Sequence, residues 1–131
     1  MNAFFDTNVL VYGYDQSPHG LIARQLVVAG GQIAVQSLNE LALVLRRRYR
    51  LGFADMRQEV ALVAEAFPDA VPLTMVIHRD GLRLAERYQL AIYDSMLLAA
   101  ALSAGCSLFY SEDLTDGLVI DRRLTIRNPF A

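Results

Sequence analysis

Lysine is absent from this chain: all twelve of its basic residues are arginine. Chemistry that needs a lysine is therefore excluded, including a response-regulator receiver and the Lys-Ser/Thr ending of a phosphate loop. Codon usage in a GC-rich genome accounts for an arginine-only set, so the absence names no partner. Cysteine is nearly absent too. The lone Cys106 has no internal disulfide partner and fits a reducing cytoplasm. Long apolar runs are also missing. Hydrophobic residues make up 54% of the chain, yet the longest clean run within residues 90–102 is the seven-residue "MLLAAAL". A membrane-spanning helix needs about 20. The opening "MNAFFDTN" has no basic region and meets an aspartate at once, so no signal peptide is expected. Fourteen acidic residues leave a net charge of −2, too mild to select a partner.

No repeat, low-complexity tract or linker interrupts the 131 residues, and one domain over 1–131 is expected. "NAFF" (2–5) is a short apolar run ending at Asp6 and suits a buried strand. "SPHGLIARQLVVAGG" predicts a helix with Ser17 as N-cap, Pro18 at its first position and Gly30 or Gly31 at its end. "QIAV" (32–35) predicts a second strand. From Ser37 to Tyr49 the pattern is helical, with Leu38, Leu41, Ala42, Leu45 and Tyr49 on one face. Another amphipathic segment covers 55–67, "AVPL" (70–73) suggests a third strand, and a helix is expected over about 75–89. The apolar stretch that follows predicts a helix over 94–104, ended by Gly105. "SLFY" (107–110), "LVI" and "LTI" complete the strands. Strands alternating with helices predict a three-layer α/β/α fold with a mainly parallel sheet.

In such sheets ligands bind beyond the carboxyl ends of the strands, which makes the positions of acids informative. Asp6 follows the first strand. Glu40 is expected in the first turn of the helix after "QIAV", flanked one turn on by Leu43 and Val44. Asp94 opens an otherwise oily helix, where an isolated carboxylate costs several kcal/mol unless paired, protonated or bound to a cation. Asp113 and Asp116 lie in "SEDLTDG", just past the "SLFY" strand.

Each acid also has a structural reading. Asp94 suits a helix N-cap, Asp6 a turn, Glu40 a first-turn acid favoured by the helix dipole, and Asp113 with Asp116 a solvated loop. Together they say more. Carboxylates converging without a cation between them repel, so their pKa values rise or a hard cation neutralises them. An oxygen-only cluster suits Mg²⁺ or Mn²⁺. Phosphodiester hydrolysis suits such a metal, which acidifies and orients water and offsets developing charge.

Other chemistries fail on particular residues. A phosphoaspartate hydrolase wants an aspartate two positions after Asp6, where Asn8 stands. No Gly-rich phosphate loop and no dinucleotide fingerprint occur. His19 and His78 lack partners for a zinc site or a triad and read as surface or packing residues. Cys106 reads as a buried small hydrophobe.

"FFDTNVLVYGYD", "QSLNELALVLRRR", "AIYDSMLLAAAL", "YSEDLTDG" and "LTIRNPF", in this order and spacing over nearly the whole chain, resemble the PIN-domain ribonucleases, in particular VapC-type toxins of bacterial toxin–antitoxin pairs. The resemblance implies a small α/β domain whose acids bind Mg²⁺ or Mn²⁺ and cut single-stranded RNA. By position it implies Asp6, Glu40, Asp94 and Asp113 as the metal-site acids, with Ser111 supporting them and Asp116 assisting through water. It further implies a homodimer and a cognate antitoxin covering the active-site groove. "RRRYR" (46–50) is then open to three readings: a solvated helix end, RNA phosphate contact, or contact with an acidic antitoxin. A non-cleaving PIN-fold binding module and a DNA-directed nuclease are the alternatives to a ribonuclease.

Overall fold

A computed structural model describes residues 2–131. The first strand, β1 (Ala3–Phe5), leads directly into α1 (Thr7–Tyr12) and α2 (Pro18–Ala29). Next come α3 (Val35–Arg47), α4 (Phe53–Ala66), α5 (Met75–Tyr88) and α6 (Ile92–Ser103). Strands β2 (Leu108–Tyr110), β3 (Val119–Ile120) and β4 (Leu124–Arg127) close the order.

The sheet order is β1-β2-β4-β3, with β1, β2 and β4 parallel and β3 antiparallel to β4. Alternation along the strands assigns its two faces. Phe4 stacks on Phe109 at 5.4 Å in one core, with Leu84, Leu97 and Ile126. Phe5 stacks on Tyr110 at 6.1 Å in the other, with Val9, Ala23 and Phe67. Helices α5 and α6 cover the first face, and α1 and α2 the second. The expected three-layer α/β/α architecture with a mainly parallel sheet is the one observed. No helix among the described residues is long and apolar enough to cross a membrane.

Two expected strands are reduced to single bridges. Gln32 pairs with Phe4, and Ala34 with Val71, both parallel. The Gln32 N–H donates to the Ala3 carbonyl and the Gln32 carbonyl accepts the Phe5 N–H, while the Val71 N–H donates to the Ile33 carbonyl. The ladder ends because Val35 already turns into α3, two residues before the expected start at Ser37. Ser37 explains the shift: as third residue of the helix its Oγ accepts the Ala34 N–H at 3.1 Å, securing an N-terminus that alanine cannot cap. Helix α1 was not expected at all. Ser17 occupies the N-cap position of α2, yet its side chain makes no capping bond.

Helix α6 is the rigid centre. Ser95 through Leu102 are buried without a break, so the helix has no polar face and sits between the sheet and α5. Close approach depends on Gly81, where an added Cβ would lie 2.5 Å from the Met96 sulfur. Gly105, at φ +74°, then turns the chain toward β2.

Candidate functional site

Asp6 sits where β1 gives way to α1. Its N–H still donates to the Tyr110 carbonyl at 2.9 Å, as a sheet residue would. Its side chain already caps the helix, Oδ1 accepting the Thr7 N–H at 2.7 Å. Oδ2 accepts the Ser111 hydroxyl at 2.7 Å and the Asn8 amide at 3.4 Å. The residue is only 5% exposed. Burial pushes its pKa up to about 7, the charges of Asp94 and Glu40 add to that, and the Ser111 and Thr7 bonds oppose it.

The other acids gather around it. Glu40 lies in the second turn of α3, not the first, because the helix starts at Val35. Thr7 Oγ1 and Gln36 Nε2 donate to its two oxygens, each at 3.2 Å. Burial raises its pKa, and the charge of Asp94 contributes. Asp94 is the third residue of α6; Ala91 holds the N-cap position, so the expectation that Asp94 caps its helix is corrected. The Ser95 N–H closes the first turn on the Ala91 carbonyl at 3.0 Å, so Ile92 and Tyr93 precede Asp94 in the helix, 49% and 66% exposed. Burial and the charge of Asp113 raise the Asp94 pKa. Asp113 is exposed, and its carboxylate accepts the Asn8 amide at 3.2 Å.

Repulsion thus links Asp6 to Asp94 and Glu40, Glu40 to Asp94, and Asp94 to Asp113. Ser111 is fully buried beneath them and accepts the N–H groups of Asp113 and Leu114 while donating to Asp6. Asp116 stands apart: its carboxylate accepts the Asn128 N–H at 2.9 Å and touches none of the four acids.

The chemistry of this donor set fits a hard cation. Asp6 is hydrogen-bonded as an anion by three donors, yet it is buried among acids with no arginine bonded to it. Among the described residues no three His, Cys, Asp or Glu side chains already converge as a metal cage. Mg²⁺ does not require one, since it keeps several waters and takes one or two carboxylates. The residues present therefore fit a hydrated divalent ion.

Several participants escaped sequence reasoning. Asn8 spans Asp6 and Asp113 and also accepts the Glu112 N–H at 3.4 Å, while Thr7 and Gln36 orient Glu40. The signal was the "DTN" triplet itself, whose second and third residues face the acids once it starts a helix. His19 packs against the rings of Tyr12 and Phe130, which also touch each other, as a packing histidine should. Cys106 is buried, with its thiol pKa raised by that burial. Recess size is no guide to this site. A cavity of about 780 Å³ lies instead between α5, α6 and the β3–β4 turn.

Comparison with known proteins agrees with the fold. The sequence matches the PIN domain family over residues 3–115. Among solved structures, a chain of a toxin–antitoxin complex from Klebsiella pneumoniae is similar with a TM-score of 0.75 at 18% identity. FitAcB from Neisseria gonorrhoeae is similar with a TM-score of 0.65 at 14% identity. VapBC2 from Rickettsia felis, bound to a DNA fragment from their promoter, follows with 0.62 at 13%. In all three the match covers 98% of both chains. No curated protein sequence matches the chain.

Proposed function

The chain belongs to the PIN domain family, and from that premise we propose that it is a Mg²⁺- or Mn²⁺-dependent endoribonuclease of single-stranded RNA. The observation that carries this reading is Asp6, a buried carboxyl group that accepts three hydrogen bonds among other acids, with no cation bonded to it among the described residues. Asp6, Glu40, Asp94 and Asp113 are the metal-site acids, and Asp113, not Asp116, is the fourth. These four acids would hold the divalent ion, which would supply acidification of water and compensation of charge at the phosphorus. Ser111 fixes Oδ2 of Asp6, Thr7 and Gln36 fix the two oxygens of Glu40, and α6 holds Asp94 on a buried mount. Asn8 ties Asp113 to Asp6, so the exposed acid is positioned by the buried one.

We further propose that the protein is the toxin of a cytoplasmic toxin–antitoxin pair, held inactive by a cognate antitoxin. The similar solved structures, which are such complexes or bear such names, support this. Exposed apolar side chains opening α5 and α6, among them Met75, Val76, Ile92 and Tyr93, support a homodimer. Purified protein is expected to cleave RNA with Mg²⁺ or Mn²⁺, and to lose that activity in EDTA and in Asp94→Asn. Cleavage persisting in EDTA would contradict the mechanism.

One observation favours a second reading, a PIN-fold module that binds RNA or a protein without cutting. The acids do not form a closed cage among the described residues. That module would show RNA binding with no cleavage product at any Mn²⁺ concentration.

A further inference from the structure

A groove leads away from the acids across the first turns of α1. Two adjoining recesses share Asn8, Val11 and Arg48. The first, of about 220 Å³, reaches Asp15, Glu112 and Asp113 and is bounded by Tyr49. The second, of about 390 Å³, passes Thr7 to Leu43, Val44 and Arg47. Helix α1 is thus the floor, the turn after β2 one wall and the C-terminal turn of α3 the other. Asn8, which bonds both Asp6 and Asp113, lies at the point where groove and acid cluster meet.

The arginines of that wall are not equivalent. Arg46 is occupied elsewhere, donating to the Leu51 carbonyl at 2.9 Å with its guanidinium 3.9 Å above the Phe53 ring. The side chains of Arg47 and Arg48 make no hydrogen bond or ion pair among the described residues; Arg83 forms both ion pairs found there. The dipole of α3 accounts for cations at its end, but not for two of them lining this groove with their donors free. Beside them Tyr49 is 36% exposed, set against Tyr14 at 6.1 Å and below the Arg48 guanidinium at 5.6 Å.

We infer that Arg47, Arg48 and Tyr49 form a strand-binding arm of the acid site, on which single-stranded RNA lays phosphate against the guanidinium groups and a base against the tyrosine ring. Free guanidinium forks match phosphate oxygens, and an aromatic face beside a cationic groove is the usual platform for unpaired bases. The groove also carries acceptors. Asp15 and Glu112 line it together with Arg48, and Asp15 is held low mainly by the Ser17 N–H, with the charge of Arg48 contributing. An RNA strand alternates phosphates, which accept, with 2′-hydroxyls, which also donate. An acidic peptide offers the arginines carboxylates but brings more of them to Glu112 and Asp113. RNA therefore suits this lining better.

The inference rests on the ribonuclease reading for what the acids do, but not for what the arm binds. It is tested with the full chain in EDTA, by anisotropy of a labelled random-sequence single-stranded RNA pool across a range of salt. Matched single-stranded DNA and polyglutamate serve as the other probes. Arg47→Gln/Arg48→Gln is expected to weaken RNA binding about tenfold or more, and to flatten the log K against log salt slope by about 1.4, as losing two phosphate contacts requires. Tyr49→Ala is expected to lose about tenfold with its slope unchanged. Arg47→Lys/Arg48→Lys keeps the wild-type slope, which guards against misreading a folding defect. DNA is expected to bind more weakly than RNA. Wild-type RNA affinity and slope in the glutamine variant would overturn the inference. So would a loss confined to polyglutamate, which would assign the arm to an acidic protein partner. If the wild type binds RNA through these arginines yet never cuts it with Mn²⁺, the ribonuclease reading falls and the arm stands.

Discussion

Two groups of carboxylates in this protein meet opposite fates. Near the β3–β4 turn, Asp80 and Asp121 share one arginine. Arg83 donates to Asp80 at 2.8 Å and reaches both oxygens of Asp121. Tyr88 adds a hydroxyl that donates to Asp121 and accepts its N–H at 2.8 Å. The Asp121 pKa is accordingly lowered, chiefly by the Arg83 bonds. At the carboxyl edge of the sheet, Asp6, Glu40 and Asp94 all have raised pKa values and no arginine bonded to them. The first group is paired with the chain's own cation and fastens a turn in which Asp121 and Arg122 both adopt positive φ. The second leaves its charge for something outside the chain to neutralise. The difference separates an acid used for structure from an acid kept for chemistry, though the residue types are the same.

Breaking each group should therefore have different consequences. The largest effect is expected at the edge: Asp6→Asn should lower RNA cleavage by about a hundredfold or more, whereas Asp121→Asn should leave the rate unchanged. Initial rates on one labelled RNA decide this, and equal losses would erase the distinction. Ser111→Ala should cost about 10–100-fold, as expected for loss of a partner that orients a ligand. Rescue by Ser111→Thr, which restores the hydroxyl, would show that the bond to Asp6 is the cause.

Proton linkage sharpens the comparison. Asp6 ionises near 3.8 in the unfolded chain and near 7 in the folded one. Between those values the folded state holds a proton that the unfolded state has released. The stabilisation is thus fully present below about pH 4 and lost as pH rises through 7. In EDTA, the stability of wild type relative to Asp6→Asn should fall by roughly 2–4 kcal/mol from pH 4 to pH 8, measured by denaturant melts. Asp121 runs the other way. Its lowered pKa stabilises the fold above the ordinary carboxylate range and is lost as pH drops through the lowered value. The smallest effect is expected for Arg83→Gln, about 0.5–1 kcal/mol, because the arginine side chain is 48% exposed and solvent screens the pair.

Much of this was legible in the sequence, and the failures share a cause. The alternation of short apolar runs with helical patterns placed Asp6, Glu40 and Asp113 at the strand-end rim, because those positions depend only on where a run stops. Helix α1 was not legible. An aspartate that bonds the next N–H looks the same at a turn as at the start of a six-residue helix. Asp94 reads as a cap because an aspartate at the start of an apolar run suits that position, but the helix begins two residues earlier, with Ile92 and Tyr93 in solvent. The segments at 32–35 and 70–73 carry strand patterns but keep one bridge residue or two, since helix capping at Ser37 and the start of α5 at Met75 end them early. The partners of the acids, Asn8, Gln36 and Thr7, are ordinary polar residues until the fold brings them together.

The claim that joins these observations is that the edge acids take their missing cation from solution. Titrating Mn²⁺ into wild type, Asp6→Asn and Asp121→Asn, with free ion counted by electron paramagnetic resonance, tests it most directly. Binding by wild type and Asp121→Asn alike, with loss in Asp6→Asn, is the predicted result. A wild type that takes up no Mn²⁺, or an Asp6→Asn variant that binds it equally well, would contradict the claim.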